Sequence, residues 1–146
     1  MKTKYFSLTR SLLRRSQFII SLIFVSTWLY SFTFFQAKPW VVPDAFVKKT
    51  NPVKAEGESL QDGKELWAKH CQSCHGKKGA GDGTKAAELE TEMQDFAKDV
   101  VQKQSDGSLF YKIVEGRDEM PTFKKKIPEE SDIWSVVNYI RTLKAK

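Results

Sequence analysis

Cys71-Gln72-Ser73-Cys74-His75 places two thiols and an imidazole within five residues of a 146-residue chain. C-x-x-C-H is the spacing of covalent haem attachment. Two thiols at this separation add to the two vinyl groups of one haem and form two thioethers. His75 follows directly and is held beneath the iron as the proximal ligand. Both cysteines of the chain are consumed in this way, so no disulfide is expected. Competing chemistries fit less well. A thioredoxin-type dithiol sits where a strand meets a helix, and the residues before Cys71 read as helix. With two Cys and two His in all, a zinc site, a four-Cys iron–sulfur cluster and a multi-disulfide framework lack ligands.

A low-spin electron carrier needs a second axial ligand on the opposite face of the haem. The candidates are Met93, Met120 and His70. His70 immediately precedes Cys71, cannot reach that face, and reads as an exposed helical histidine. Met93 lies in Glu88–Asp99, which carries five acids, and suits packing as well as ligation. Met120 follows Glu115-Gly116-Arg117-Asp118-Glu119. Charge on its upstream flank weighs against plain gap-filling in a core.

Several elements must position these groups. Leu60, Gly63, Leu66, Trp67 and Cys71 recur at spacings of three and four, one face of a helix running into the motif. Ser59 is its expected cap, with Asp62 in the first turn. Gly63 costs about 1 kcal/mol against Ala inside a helix, which a close helix crossing would justify. Gly76 to Gly83 lacks the P-loop spacing. It reads as backbone that approaches the haem closely. A short helix is expected around Thr84–Val101, where apolar residues are few. A further helix, Asp106 to Glu115, has Ser105 as cap and Gly116 as terminator. Pro121 and Pro128 keep the next residues in a loop. The last helix, Glu129 to Leu143, begins acidic and ends basic.

The formal charge is +6, but residues 1–37 hold Lys2, Lys4, Arg10, Arg14 and Arg15 and no acid. The remainder is nearly balanced, with 19 basic and 18 acidic side chains, which weighs against a nucleic-acid-binding domain. Phe18 to Phe35 carries no charge over 18 residues. As a helix it is roughly 27 Å long, close to the thickness of a bilayer core. All leader charges precede it, so the N-terminus is expected inside and residues 38–146 outside. Two readings remain: an uncleaved signal-anchor over 1–37, or a signal peptide whose cleavage frees the domain into the periplasm. Bulky Phe35 at the −3 position disfavours cleavage after Ala37. Residues 38–58, broken by Pro39, Pro43 and Pro52, read as an extended linker. Fully stretched they reach about 70 Å.

Residues 59–146 resemble class I c-type cytochromes. The resemblance rests on C-x-x-C-H, on Gly63 and Trp67 eight and four residues before the first haem Cys, and on Met120-Pro121. The lead-in Pro39-Trp40 and Asn51-Pro52 is similar to that of bacterial membrane-tethered monohaem cytochromes. The resemblance implies an all-α fold, about four helices wrapped around one covalent haem c, with the first helix crossing the last near Val136, Tyr139 and Ile140. It implies Cys71 and Cys74 as thioether anchors and His75 and Met120 as axial iron ligands. It also implies one-electron transfer at the outer face of a bacterial cytoplasmic membrane, with redox proteins as partners and no substrate transformed. Phe110, Tyr111, Ile113 and Val114 suit either haem packing or plain core. Trp134 and Arg117 are candidates for the haem propionates, or for surface roles. Lys77, Lys78 and Lys124-Lys125-Lys126 form either a solvated face or a basic docking rim. The rival functions are a haem enzyme and a haem ligand sensor. Both need an open iron position.

Overall fold

The computed structural model describes residues 39–144, together with Gln17. The expected membrane span, residues 18–35, lies outside the described residues. Among these, no helix is long and apolar enough to cross a membrane. The chain divides into two compact units, Met1–Trp40 and Val41–Lys146, and the architecture below is that of the second.

Three helices of ten or more residues form its frame: α2 (Gly57–His70), α5 (Asp106–Glu115) and α6 (Glu130–Thr142). One-turn helices stand between and before them: α1 (Asp44–Val47), α3 (Gln72–His75) and α4 (Asp99–Gln102). A 3-10 turn covers Ala86–Glu88. No strand occurs among the described residues, so the unit is all-α, as expected. The helix expected around 84–101 is reduced to the 3-10 turn and α4, with irregular chain between them. Glu90, Thr91, Glu92 and Gln94 there are exposed, so a helix would have no apolar face to bury.

The pairing of α2 with α6 is the most extensive helix contact of the unit. Gly63 makes it possible. A Cβ at Gly63 would collide with the Ser135 carbonyl oxygen and lie 3.0 Å from Tyr139 Cβ. The crossing is therefore centred on Ser135 and the expected Tyr139, while Val136 and Ile140, also expected there, lie one residue further on. Those two face inward and are buried. On the other side of α6, Trp134 stacks on Phe110 of α5 with ring centroids 4.2 Å apart. Leu109, Ile113, Val114, Ile133 and Val137 complete this core.

Local capping explains the helix boundaries. Ser105 caps α5 by accepting from Ser108 N–H at 3.2 Å, and Gly116 ends it at φ 66°, a left-handed conformation that glycine adopts freely. Ser59 does not cap α2. The helix starts two residues earlier, after Glu56, with no side-chain cap. The Ser59 hydroxyl instead accepts from Asn138 Nδ2 at 2.9 Å.

Residues 41–58 differ from the extended linker expected of them. α1 packs on α5, where a Cβ at Gly107 would collide with the Phe46 carbonyl oxygen. Phe46 meets Tyr111 at 4.8 Å between ring centroids. Lys49 Nζ pairs with Glu130 at 3.2 Å and lies 4.6 Å from the Phe110 ring centre. Asn51 Nδ2 donates to Asn138 Oδ1 at 2.7 Å, and Asn138 Nδ2 donates to the Val53 carbonyl at 3.1 Å. The prolines do prevent a long helix. Polar bonds to α6, rather than an apolar run, bind the segment to the domain.

Gly63→Ala tests the crossing. The methyl group meets main chain, which cannot move aside as a side-chain tip can. A loss of about 2–3 kcal/mol is expected in urea unfolding of the mature protein. An unchanged midpoint would show that the two helices can separate without cost.

Candidate haem-binding site

The end of α2 and the whole of α3 carry the motif. Cys71 N–H donates to the Trp67 carbonyl at 2.9 Å, closing α2, and His75 N–H donates to the Cys71 carbonyl at 2.9 Å. Cys71, Cys74 and His75 thus share one compact turn. Neither cysteine is in a disulfide, and Cys71 is buried while Cys74 is half-buried. Burial, and then the neighbouring Cys74, push the Cys71 thiol up to about 12.

His75 packs against a pair of aromatic rings that also touch each other, Trp67 and Phe96 being 5.2 Å apart. Phe96 meets it edge-on at 4.9 Å and Trp67 lies 5.8 Å away. Burial holds its pKa below the usual histidine range, which favours the neutral, metal-ligating imidazole. Its buried Nδ1 has no hydrogen-bond partner. Trp67 Nε1 donates to the Gly76 carbonyl at 3.1 Å and so fixes the chain that leaves His75. The glycine loop then folds back: Gly81 N–H donates to the His75 carbonyl at 2.9 Å, and Lys85 N–H to that of Ser73 at 2.8 Å. At Gly81 (φ 79°) a Cβ would stand 2.9 Å from the Met93 carbonyl oxygen. The crowding that demands glycine there comes from the chain itself.

Met120 lies at the end of a tight turn. Arg117 N–H donates to the Met120 carbonyl at 2.8 Å, and Met120 N–H to that of Arg117 at 2.9 Å. Asp118 holds φ 51° within this turn, a conformation Asp tolerates better than most residues. Beyond it, Thr122 Oγ1 donates to the Val114 carbonyl at 2.6 Å, and Phe123 N–H to that of Ile113 at 3.2 Å. Met120 is half-buried and packs against the core. Met93, the other candidate, lies against Gly81. Phe123 meets the His70 ring at 6.1 Å, which brings the chain after Met120 beside the residue preceding Cys71.

Other expectations resolve variously. His70 is half-buried, with Nε2 shielded and unpartnered, not the exposed helical residue expected. Burial, then Lys69 and Lys126, lower its pKa. Trp134 is core, 1% exposed. Arg117 Nε pairs with Asp118 at 3.1 Å. Phe110 and Ile113 are buried core residues. Lys77, Lys78, Lys124, Lys125 and Lys126 are exposed, and Lys124 pairs with Glu115 at 2.6 Å. Two contributors escaped sequence reading. Phe96 carries no local mark of its contact with His75. Glu119 looks like ordinary surface charge, yet accepts from the main-chain N–H groups of Glu90 and Thr91 at 3.1 and 2.8 Å.

The residues present fit a covalent haem. Two free thiols stand one helical turn apart, beside a half-buried histidine whose shielded Nδ1 has no hydrogen-bond partner. The thiols supply thioether anchors and the imidazole a nitrogen ligand.

The family model described as cytochrome c oxidase, cbb3-type, subunit III matches residues 58–140. Comparison with curated proteins gives no match. Among solved structures, a chain of the reducing HAO-like protein complex of Kuenenia stuttgartiensis is similar, with TM-score 0.58 and 23% identity. The similarity covers 79% of this chain and 54% of that one, so this chain spans about half the length of its structural relative. At that identity the likeness is one of fold.

Trp67→Phe removes the indole N–H that braces the Gly76 carbonyl and leaves a smaller ring beside His75. A loss of roughly 2 kcal/mol is expected in thermal or urea unfolding. A variant as stable as the parent would show that neither the bond nor the ring volume contributes.

Proposed function

The chain belongs to the c-type cytochrome family described as cytochrome c oxidase, cbb3-type, subunit III, and on that premise we propose that it is a one-electron carrier with a single haem c. Cys71 and Cys74 would hold the haem through thioethers, and His75 and Met120 would supply the nitrogen and sulfur ligands of its iron. The observation that carries the reading is the folded C-x-x-C-H turn, with His75 half-buried, its pKa lowered by burial, and packed against Trp67 and Phe96. Haem c, when bound, supplies a one-electron ferric/ferrous couple.

The chain's own residues do the rest. Trp67 and Phe96 fix the plane of the imidazole. The 117–120 turn holds the main chain of Met120, whose thioether is a soft donor. A Met/His pair sets a higher potential than a His/His pair. The hydrophobic core against which Met120 packs keeps water from that side.

The proposal includes residues 18–35 as a membrane anchor, with the haem domain on the outer face. Partners are then redox proteins of a membrane electron-transfer chain.

Protein matured with a haem-attachment system should be low-spin in the ferric state, with a weak near-infrared Met-to-iron band. Met120→Ala should abolish the band and open the ferrous iron to carbon monoxide. Survival of the band would move the ligand to Met93. High-spin iron in the parent protein would favour a sensor or enzyme with an open site.

A further inference from the structure

The acidic chain from Ala86 to Phe96 has almost no regular structure, so individual bonds fix its path. Phe96 is tied to the proximal side: its N–H donates to the Gly79 carbonyl at 2.7 Å and its ring packs on His75. Met93 lies against Gly81 in the loop that follows His75. At the other end, the adjacent N–H groups of Glu90 and Thr91 donate to Oε1 and Oε2 of Glu119, at 3.1 and 2.8 Å. One carboxylate thus receives two consecutive main-chain donors, one on each oxygen. Such charge-assisted bonds are the strong kind. They hold the carboxylate below the usual carboxyl range, Thr91 contributing most.

Glu119 directly precedes Met120. The turn bonds between Arg117 and Met120 shape the turn internally but do not orient it. Orientation comes from Thr122 and Phe123 on the downstream side. On the upstream side it comes from Glu119.

We infer that Glu119 is a positioning residue: it fastens the Met120 turn to the 86–96 segment, which itself rests on the His75 side, and so restrains Met120 from leaving the iron. The inference rests on Met120 being an axial ligand. The 86–96 segment then acts as a strut between the two sides of the haem site. Its length and acidity matter less than its two fixed ends.

The test uses the full-length mature holoprotein at pH 7, with imidazole as the probe, since it competes with a thioether for ferric iron. The variants are Glu119→Ala, Glu119→Gln and Glu92→Ala. The last removes a carboxylate from the same acidic neighbourhood without touching these bonds. Glu119→Ala should keep the Met-to-iron band, raise imidazole affinity about fivefold, and speed amide exchange at Glu90 and Thr91. Glu119→Gln retains one acceptor oxygen and should fall between Glu119→Ala and the parent. Glu92→Ala should match the parent. If the parent shows the band but Glu119→Ala binds imidazole no better, the positioning role is overturned while Met120 ligation stands. If Glu92→Ala matches Glu119→Ala, the effect is one of charge and the role is likewise overturned. A parent without the band overturns the ligation reading and this inference together.

Discussion

The close approach of α2 to α6 at Gly63 is the constraint on which the remaining structure depends. The main chain of one helix meets the Ser135 carbonyl of the other with no side chain between them. That contact sets the direction in which α2 delivers Cys71, and hence where α3 places Cys74 and His75. It also makes α6 the common support. Its inner face carries Val136, Val137 and Ile140, all buried. Its flank carries Trp134, which stacks on α5 and so positions the helix that ends at Gly116, just before the Met120 turn. Both sides of the haem site are therefore referred to a single helix.

Polar side chains on α6 gather the irregular segments. Asn138 receives Asn51 and reaches Val53 and Ser59. Arg141 binds Asp106 and the carbonyls of Gln102 and Gln104 at 2.6–2.9 Å. Gln102 in turn donates to the carbonyls of Phe96 and Ile140. A domain of this size buries too little apolar surface to fix long connections by packing alone. Bonds to main-chain carbonyls and side chains do so instead, and each is favourable mainly because a buried polar group left unpaired would cost more.

What was legible in the sequence was local. C-x-x-C-H names its chemistry within five residues. The bounds of α5 follow from Ser105 and Gly116, and Gly63 announced a close crossing. Met120 was favoured by the charge upstream of it and singled out through resemblance to class I cytochromes, which its neighbours alone could not do. What failed was long-range and polar. The Ser59 hydroxyl was expected to cap its own helix but is engaged by Asn138, 79 residues away. Residues 41–58 read as a free linker because they lack apolar periodicity, yet their attachment runs through Lys49, Asn51 and the close seat at Gly107. Hydrogen bonds between distant polar residues leave no period in a sequence, so pattern reading does not detect them.

On the proposed ligation by His75 and Met120, the two sides of the site are built differently, and the difference follows from the ligands. His75 stands at the end of a helix, in an aromatic cage, where burial keeps it neutral. An imidazole binds either oxidation state well, so its side needs little more than a fixed ring plane. A thioether is a weaker donor to ferric iron and is lost unless its loop is restrained. The Met120 turn is accordingly held from several directions: by its own bridge to Arg117, by Thr122 and Phe123 to the end of α5, and by Glu119 to the strut. A carrier works fastest when neither ligand moves between oxidation states, because any movement must be reorganised at each transfer. Rigid attachment on the helical side costs the fold nothing extra. On the loop side it has to be assembled bond by bond, through Glu119, Thr122 and Phe123.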